Sequence, residues 1–573
     1  MKHDLFNTLF GKRGATFLAV GVLFVTTTSM FGDVLPAERR ISAWNPGVRG
    51  GIPARTNLIN AHLAPYNADN TGAADATSAI QSAINAASAG SVVYLPAGTY
   101  LVSGGLSITK AISLSGDGPN LTVIKYVGTS ASATVISCSS SGSRGNAINV
   151  TGGSTKESTS ITVASTTGIS VGTYLMITQN NPAWVTPGTA NGGCSWCGDD
   201  HSTQTMSQVN KVVGISGTTL TLERPLYGDF VNAPIIKTLP LQAGMGIEKL
   251  TVWRANTVAV SGFNLYFVFV ANCWVSEVTS TNAGQAHIRM YDTYACTIEH
   301  SRFHDAYTHG SDHGYGIHLF GWNSDHYIVD NIFWRCRHSI NFEGGGSGNV
   351  IAYNYGAGCV QDEDPTFLTE EFDTHGSHPF MNLFEGNITG KLSHDNTWGS
   401  ASHNTSFRSV FLNYSSQAAS PNSGRWGVDI EANNYSNNIV ACIIGRSGDT
   451  GSKIGASWNG ASSYRFGVQT PGGAGPVDAL SQSSTYIHGT YDYISKTTQW
   501  DANNTDHILP ASLYLTSKPA WFGDRPWPPI DPATPATAVA TNLPAGYRYT
   551  FGVNPAPATG ILPPPPPTGL HTL

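Results

Sequence analysis

NADNTGAADATSAIQSAINAASAGSVVYLPAGTY, residues 67–100, changes its period midway. Ile80, Ala83, Ile84 and Ala87 recur at i, i+3, i+4 and i+7, which predicts one amphipathic helix. Asp75 suits its N-cap and Gly90 its stop. The β-branched and aromatic run SVVYLP then predicts a strand and PAGTY a turn. Short strands follow at SLSGDG and TVIKYV. A single helix leading into a succession of short strands is the pattern to be explained.

The run D-x-T-x-A-I-Q-x-A-I-N-A-A…V-V-Y-L-P-A-G-T-Y resembles the opening of the pectate lyase superfamily, a group of right-handed parallel β-helix proteins that includes polygalacturonase-like hydrolases, lyases and phage tailspikes. The resemblance implies that the helix caps the first coil and hides strand edges that would otherwise aggregate. It specifies a fold, not a reaction.

The rest of the chain points the same way through its own spacing. CWVSEV, CTIEHSRF, HYIVDNIF, NVIAYNYG and NLFEGNIT follow one another, with Ser301, Asn331, Asn354 and Asn387 at one place in their units. Their intervals are 30, 23 and 33 residues. A basic step of 23 suits a solenoid whose like residues stack in ladders, and stacked asparagines can hydrogen-bond along the axis. Cys273 and Cys296 are separated by the same 23 residues, as are Cys336 and Cys359. A coil spacing of about 4.8 Å lies within disulfide range, so each pair is either bridged or stacked as buried thiols. Cys194 and Cys197, in CSWCGDDH, are expected to form a disulfide pinning an exposed loop, with a mixed Cys/Asp/His metal site as the alternative.

Five regions result. Residues 1–30 carry Lys12 and Arg13 ahead of an apolar run from Ala15 to Val25, the pattern of a signal peptide, with an uncleaved anchor as the alternative since no sharp A-x-A cleavage site is visible. Residues 40–137 hold the cap and first coils. Residues 138–240 read as alternating hairpin strands, a β insertion. Residues 241–530 form further coils, and residues 531–573 a Pro-rich tail. The expected fold is all-β: a right-handed parallel β-helix with an N-terminal capping helix and a small β insertion. Only 12% of residues are charged and the formal charge is −7 with no basic block, which argues against nucleic acid as a partner. A secreted monomer, extracellular or periplasmic, without stable membrane insertion, is the expectation.

The two long intervals exceed the basic step by seven and ten residues, placing excess loops at 304–313 and 361–378. Loops on coils two apart can rise together and wall a cleft, and twelve of the 18 histidines lie between His287 and His403. A glycoside hydrolase needs one carboxylic acid and one carboxylate flanking the scissile bond. Candidates are Asp305, Asp312, Glu343, Asp362, Asp364 and Asp373, with His309 and His313 as catalytic partners. His375, His378, His338, Arg337, Trp322, Tyr315 and Trp398 are candidates for substrate binding, whereas His318 and His326 are assigned to the wall. His338 and His394 share a phase and are expected in one ladder. Hydrolysis of a polysaccharide is the preferred reading and needs no cofactor. The alternatives are a Ca²⁺-dependent lyase using oxygen ligands from DEDPTFLTEEFD and a non-catalytic glycan-binding surface protein. No transition-metal signature accompanies HGSDH or HGSH.

Overall fold

The computed structural model describes residues 34–186, 203–255, 261–376, 378–416, 421–455, 461–469 and 476–552. The signal-like segment, Cys194 and Cys197, and residues 553–573 lie outside them. Three long sheets run the length of the described chain. The first has twelve strands, from Asn57–Asn60 through Tyr327–Val329 to Tyr486–His488; the second and third have thirteen each. Apart from one terminal antiparallel hairpin, Thr490–Asp492 with Thr497–Gln499, neighbours within a sheet are one coil apart in sequence and parallel. The chain is a parallel β-helix.

Strands of three or so residues form because each coil alternates core and outer positions. Ile317, Leu319, Ile340, Phe342, Phe372 and Leu392 point into one continuous core with Ile298, Ile328, Ile351 and Phe384. Phe303 stacks on Phe333 one coil later, with ring centroids 5.4 Å apart. The capping helix, α1 (Thr77–Ala86), buries Ile80, Ala83 and Ile84 on the first coils. Asp75 is not its N-cap. It ends the strand Thr71–Asp75, pairs there with Leu101, and reaches Thr77 N at 2.9 Å, leaving Ala76 in the cap position.

Two asparagine ladders hold the corners. In the expected one, Ser301 N donates to Asn331 Oδ1, Asn331 N to Asn354 Oδ1 and Asn354 N to Asn387 Oδ1, each within 3.0 Å. A second ladder runs His326, Asn349, Asn382, Asn404 and Asn437. His338 and His394 share no ladder. His394 is in register with Thr374 and Phe342, because the turn before Ile340 is longer than the one before Leu392. Asn354 donates to Ile328 O and Asn387 Oδ1 and accepts from Asn331, all inside the wall. Asn354→Ala therefore strands several buried groups and should cost about 2–4 kcal/mol. Urea unfolding measures this; a loss below about 1 kcal/mol would remove the ladder from the account of stability.

Cys138, Cys273, Cys296, Cys336, Cys359 and Cys442 are all free and buried. The disulfide alternative for 273/296 and 336/359 is therefore corrected. The thiols turn inward and several donate to the carbonyl two residues back, as Cys273 does to Ala271 O and Cys442 to Val440 O, both at 3.3 Å.

Strands between Ile148 and Leu239 close a six-stranded antiparallel barrel. It is seated on the helix through Tyr174, Met176, Ala271, Tyr294 and Trp322. A buried ionic knot secures the joint. Arg49 NH2 lies 2.6 Å from Asp325, Arg49 Nε 3.0 Å from Glu223, and Arg224 Nε 3.5 Å from Asp325, which also accepts from Tyr227 OH.

Both ends of the described residues run back along the solenoid. The segment 34–55 is not confined to the first coils: it starts at the last ones, where Tyr486 OH donates to Val34 O and Arg39 to Ser484 O. It continues past Met381, Asp325, Thr297 and Gly244. From the other end, Arg408 grips the carbonyls of Leu509, Pro510 and Ile530. Residues 531–552 are not a free tail. Two 3-10 turns and the helix Pro544–Phe551 pack back, with Arg548 on Asp330 and Tyr549 against Trp334 and Tyr355.

Candidate functional site

Because Ile317, Leu319, Ile340, Phe342 and Phe372 face the core of the third sheet, the residues between and beside them face outward. One outer row, in register across successive coils, reads His318, Asn341, Asp373, Ser393, Asp429 and Arg465. A second row, two residues further along each strand, reads Glu343, His375, Asp395 and Glu431, each following a register-paired residue. Steps along a row are about 4.8 Å. The fold thus gathers acids, imidazoles and amides from more than a hundred residues of chain onto one face.

His318 Nε2 lies 2.5 Å from Glu343 Oε2. Asp312, on the loop before strand Tyr315–Ser324, completes a set with them in which one ligand atom from each lies within 4.8 Å of the others. One coil on, His375 Nδ1 bonds Asp395 Oδ2 and lies 3.6 Å from Asp373 Oδ2. Burial alone would raise the Glu343 carboxyl, but His318, His375 and Arg289 outweigh it and hold it near 2. Burial and the adjacent Asp395 push Asp373 well above the carboxylate range, against the opposing pull of His375. His375 itself would be driven down by burial, yet Asp395 and Asp373 carry it up to about 10. Asp312, although its residue reaches solvent, is raised by desolvation of its carboxyl and by Glu343. Two neighbouring carboxyl groups are therefore driven in opposite directions, the condition that separates an acid from a base.

The nearby cations are mostly committed. Arg465 bonds Asp429 at 2.7 Å and Glu431 at 2.6 Å. Lys391 is fully buried, 2.7 Å from Glu370 and over the rings of Phe367 and Trp426. The Asp312–His318–Glu343 and Asp373–His375–Asp395 sets have the composition to hold a cation, although each histidine already bonds a carboxylate of its own set.

Several candidates lie elsewhere or are used otherwise. The two excess loops do not face each other across a cleft; they are tied together. Asp362 accepts from Thr308 Oγ1 and His309 N, both at 2.7 Å, and Glu363 from Ser311 N and Arg337. Asp364 caps Thr366. These carboxylates satisfy loop amides; burial would raise Asp362, but its bonds from His309 and Thr308 outweigh it and lower it, and the bonds from Thr366 lower Asp364. Asp305 sits on the second sheet with His304 and Arg335. His309 is buried with Nε2 on Arg335 O, and His313 bonds Ser311 O. His378 is held between Ser400 and Ser402, and burial lowers it to about 3. His338 bonds Glu370 O and is likewise lowered to about 3 by burial. Trp322 lies under Arg144 at the barrel joint, 3.9 Å from its guanidinium, and so cannot line a cleft. Arg337 clamps the loop pair.

Asp312, Glu343, Asp373, His375 and Tyr315 do converge. Tyr315 packs between His318 and His338, with centroids 4.9 and 5.3 Å away. Trp398 is half-buried on the strand that carries Asp395. His326 belongs to the wall, bonding Thr293 and Cys296. His318 does not; it is at the centre. Sequence reasoning missed His318, Asn341 and Asp395. The alternations Ile317-His318-Leu319 and Ile340-Asn341-Phe342, read at strand period, carried the signal.

Residues 60–185 match the family model described as rhamnogalacturonase A/epimerase, pectate lyase-like. This agrees with the resemblance carried by residues 67–100. Among solved structures the chain is similar to the tailspike gp61 of Pseudomonas phage phi297 (13% identity, 70% of this chain and 68% of that one, TM-score 0.45). It is also similar to the tailspike gp49 of Pseudomonas phage LKA1 (17%, 67% and 64%, TM-score 0.45). A third is the gp54 tailspike of Acinetobacter baumannii bacteriophage AP22, in complex with capsular saccharide (11%, 76% and 69%, TM-score 0.41). The chain spans about two thirds of each. No curated protein matches it.

Proposed function

We propose that this pectate lyase-like β-helix is an exported enzyme that hydrolyses glycosidic bonds of a polysaccharide, working as a monomer at the outer face of its third sheet. The observation that carries the reading is the pair Asp373 and Glu343 on adjacent coils of one outer face. Asp373, beside His375, is pushed up by burial and Asp395; Glu343, bonded to His318, is held at about 2 by His318, His375 and Arg289 against its burial. Asp373 gives its proton to the leaving glycosidic oxygen. Glu343 takes the proton of the water that attacks the anomeric carbon. Their backbone positions are one coil and two residues apart, about 8 Å from sheet spacing and strand rise. That suits the wider carboxylate separation of inverting enzymes, which leaves room for the water. His375, carried up to about 10 by Asp395 and Asp373 against its burial, is a positioning residue: it bonds Asp395 and lies 3.6 Å from the acid Asp373.

β-Elimination is less well supported. The acidic loop spends Asp362, Glu363 and Asp364 on its own amides, and Lys391 and Arg465 are paired with carboxylates. Digestion of a glycan panel distinguishes the two. Hydrolysis yields new reducing ends with no absorbance at about 235 nm, whereas elimination from a polyuronate creates an absorbing double bond. Growth of that absorbance in step with the reducing ends would overturn the hydrolytic reading.

A further inference from the structure

Asn341 is fully buried on the outer face, and among the described residues neither its Oδ1 nor its Nδ2 has a hydrogen-bond partner. Its register neighbours repeat the pattern. His318 Nδ1 on one side and Asp373 Oδ1 on the other are also buried without a partner. Leaving such groups unpaired is costly, so a row of them on successive coils calls for a partner, and a bound ligand supplies one. Exposure rises among the residues around the row. Glu343 and His318 are nearly closed off, Asp395 and His375 partly exposed, and Asp312 exposed.

The chemistry of the vacant atoms is selective. Asn341 Nδ2 can only donate; Asn341 Oδ1 can only accept, and so can Asp373 Oδ1 when its proton is on the other oxygen. A carboxylate ligand only accepts, so it would leave Asn341 Oδ1 unpaired, and around it the acids Glu343, Asp395 and Asp312 outnumber the cations His375 and Arg289. An ammonium ligand only donates, and would leave Asn341 Nδ2 unpaired. A hydroxyl both donates and accepts. We propose that His318, Asn341 and Asp373 form the floor of a subsite for a ring hydroxyl of an uncharged sugar, so that the substrate is a neutral glycan and not a polyuronate. This rests on the reading of the site as glycan-acting and adds the class of glycan and a specificity-determining residue, Asn341.

The test uses the full protein and Asn341→Ala, with Asn341→Gln as a conservative control. Oligosaccharides of glucose, mannose, galactose and xylose are set against oligogalacturonate, with binding read by calorimetry and cleavage by reducing ends. Far-UV circular dichroism and thermal midpoint establish that each variant folds. The expected result is that a neutral oligosaccharide binds better than oligogalacturonate, and that Asn341→Ala weakens its binding or raises its KM by about 10-fold or more, with a smaller change in kcat. Asn341→Gln should recover part of the loss. Tighter binding of oligogalacturonate than of every neutral sugar would overturn the proposal, as would no binding of any neutral sugar, or a folded Asn341→Ala with unaltered binding. Asn341-dependent binding of a neutral glycan without cleavage would instead sink the hydrolytic reading and leave the subsite standing.

Discussion

Asp373→Asn lowers kcat on the cleaved glycan by about 10²- to 10⁴-fold and leaves KM within a few-fold, because the amide keeps the shape of the acid but has no proton to give. Glu343→Gln does the same through loss of the base. Both variants should fold, since neither residue is part of the inward core. The double variant should lose little more than the worse single one, as expected of groups that serve one transition state. The pH profile carries a second signature. The base must be ionised, which Glu343, held near 2 by His318, His375 and Arg289 against its burial, satisfies across the acid range. The acid must be protonated, which Asp373 remains until pH rises through a value raised by burial and Asp395. The kcat/KM profile should therefore stay flat through the ordinary carboxylate range and fall on a single alkaline limb. An acid limb between about pH 4 and 5 would mean that an unperturbed carboxylate is the base, and would remove Glu343 from that role.

The largest effect on stability is expected at Asp325. Its carboxylate is buried against Arg49 and Arg224, and Tyr227 donates to it from the barrel. Asp325→Ala leaves Arg224 without its counter-charge and Arg49 with Glu223 alone, in a joint that water reaches poorly. Breaking one partner of such a buried group costs about 3–5 kcal/mol, even though the intact pair adds little over a hydrophobic replacement. The loss should concentrate where three parts of the chain meet: the segment around Arg49, the barrel and the coil ending at Ser324. Hydrogen exchange should show faster opening of the barrel strand Ser207–Ser216, whose Val209 N donates to Ser324 Oγ. A free-energy change below about 1 kcal/mol, with unchanged exchange there, would show that the joint is held by its apolar contacts alone.

The fold was legible because a solenoid writes its period into the sequence. The 23-residue step, the Asn331–Asn354–Asn387 ladder and the capping helix are each local or periodic, and all appear in the structure. The site was only half legible. Counting excess residues located the loops but assumed that loop acids face the substrate, whereas Asp362, Glu363 and Asp364 are consumed by nearby amides. Of the acids gathered at the candidate site, Asp373 and Asp395 sit on strands and Glu343 just past one, beside core residues, where a polar residue looks like an irregularity in a hydrophobic run. Trp322 failed for a related reason. Its place under Arg144 depends on how the barrel docks, a contact between segments far apart in sequence.

The lead-in segment has a consequence for how the molecule is made. Val34 and Arg39 bond Tyr486 and Ser484, 452 and 445 residues later. These residues are synthesised ahead of every coil, yet their partners do not exist until the last coils have wound. The solenoid can nucleate and propagate through near neighbours, but this segment must wait, extended and unsatisfied, for a surface built from the far end. Contacts of such sequence separation are slow to form. The first part of the domain to be made is the last to be fixed, and its docking marks the completion of the whole winding.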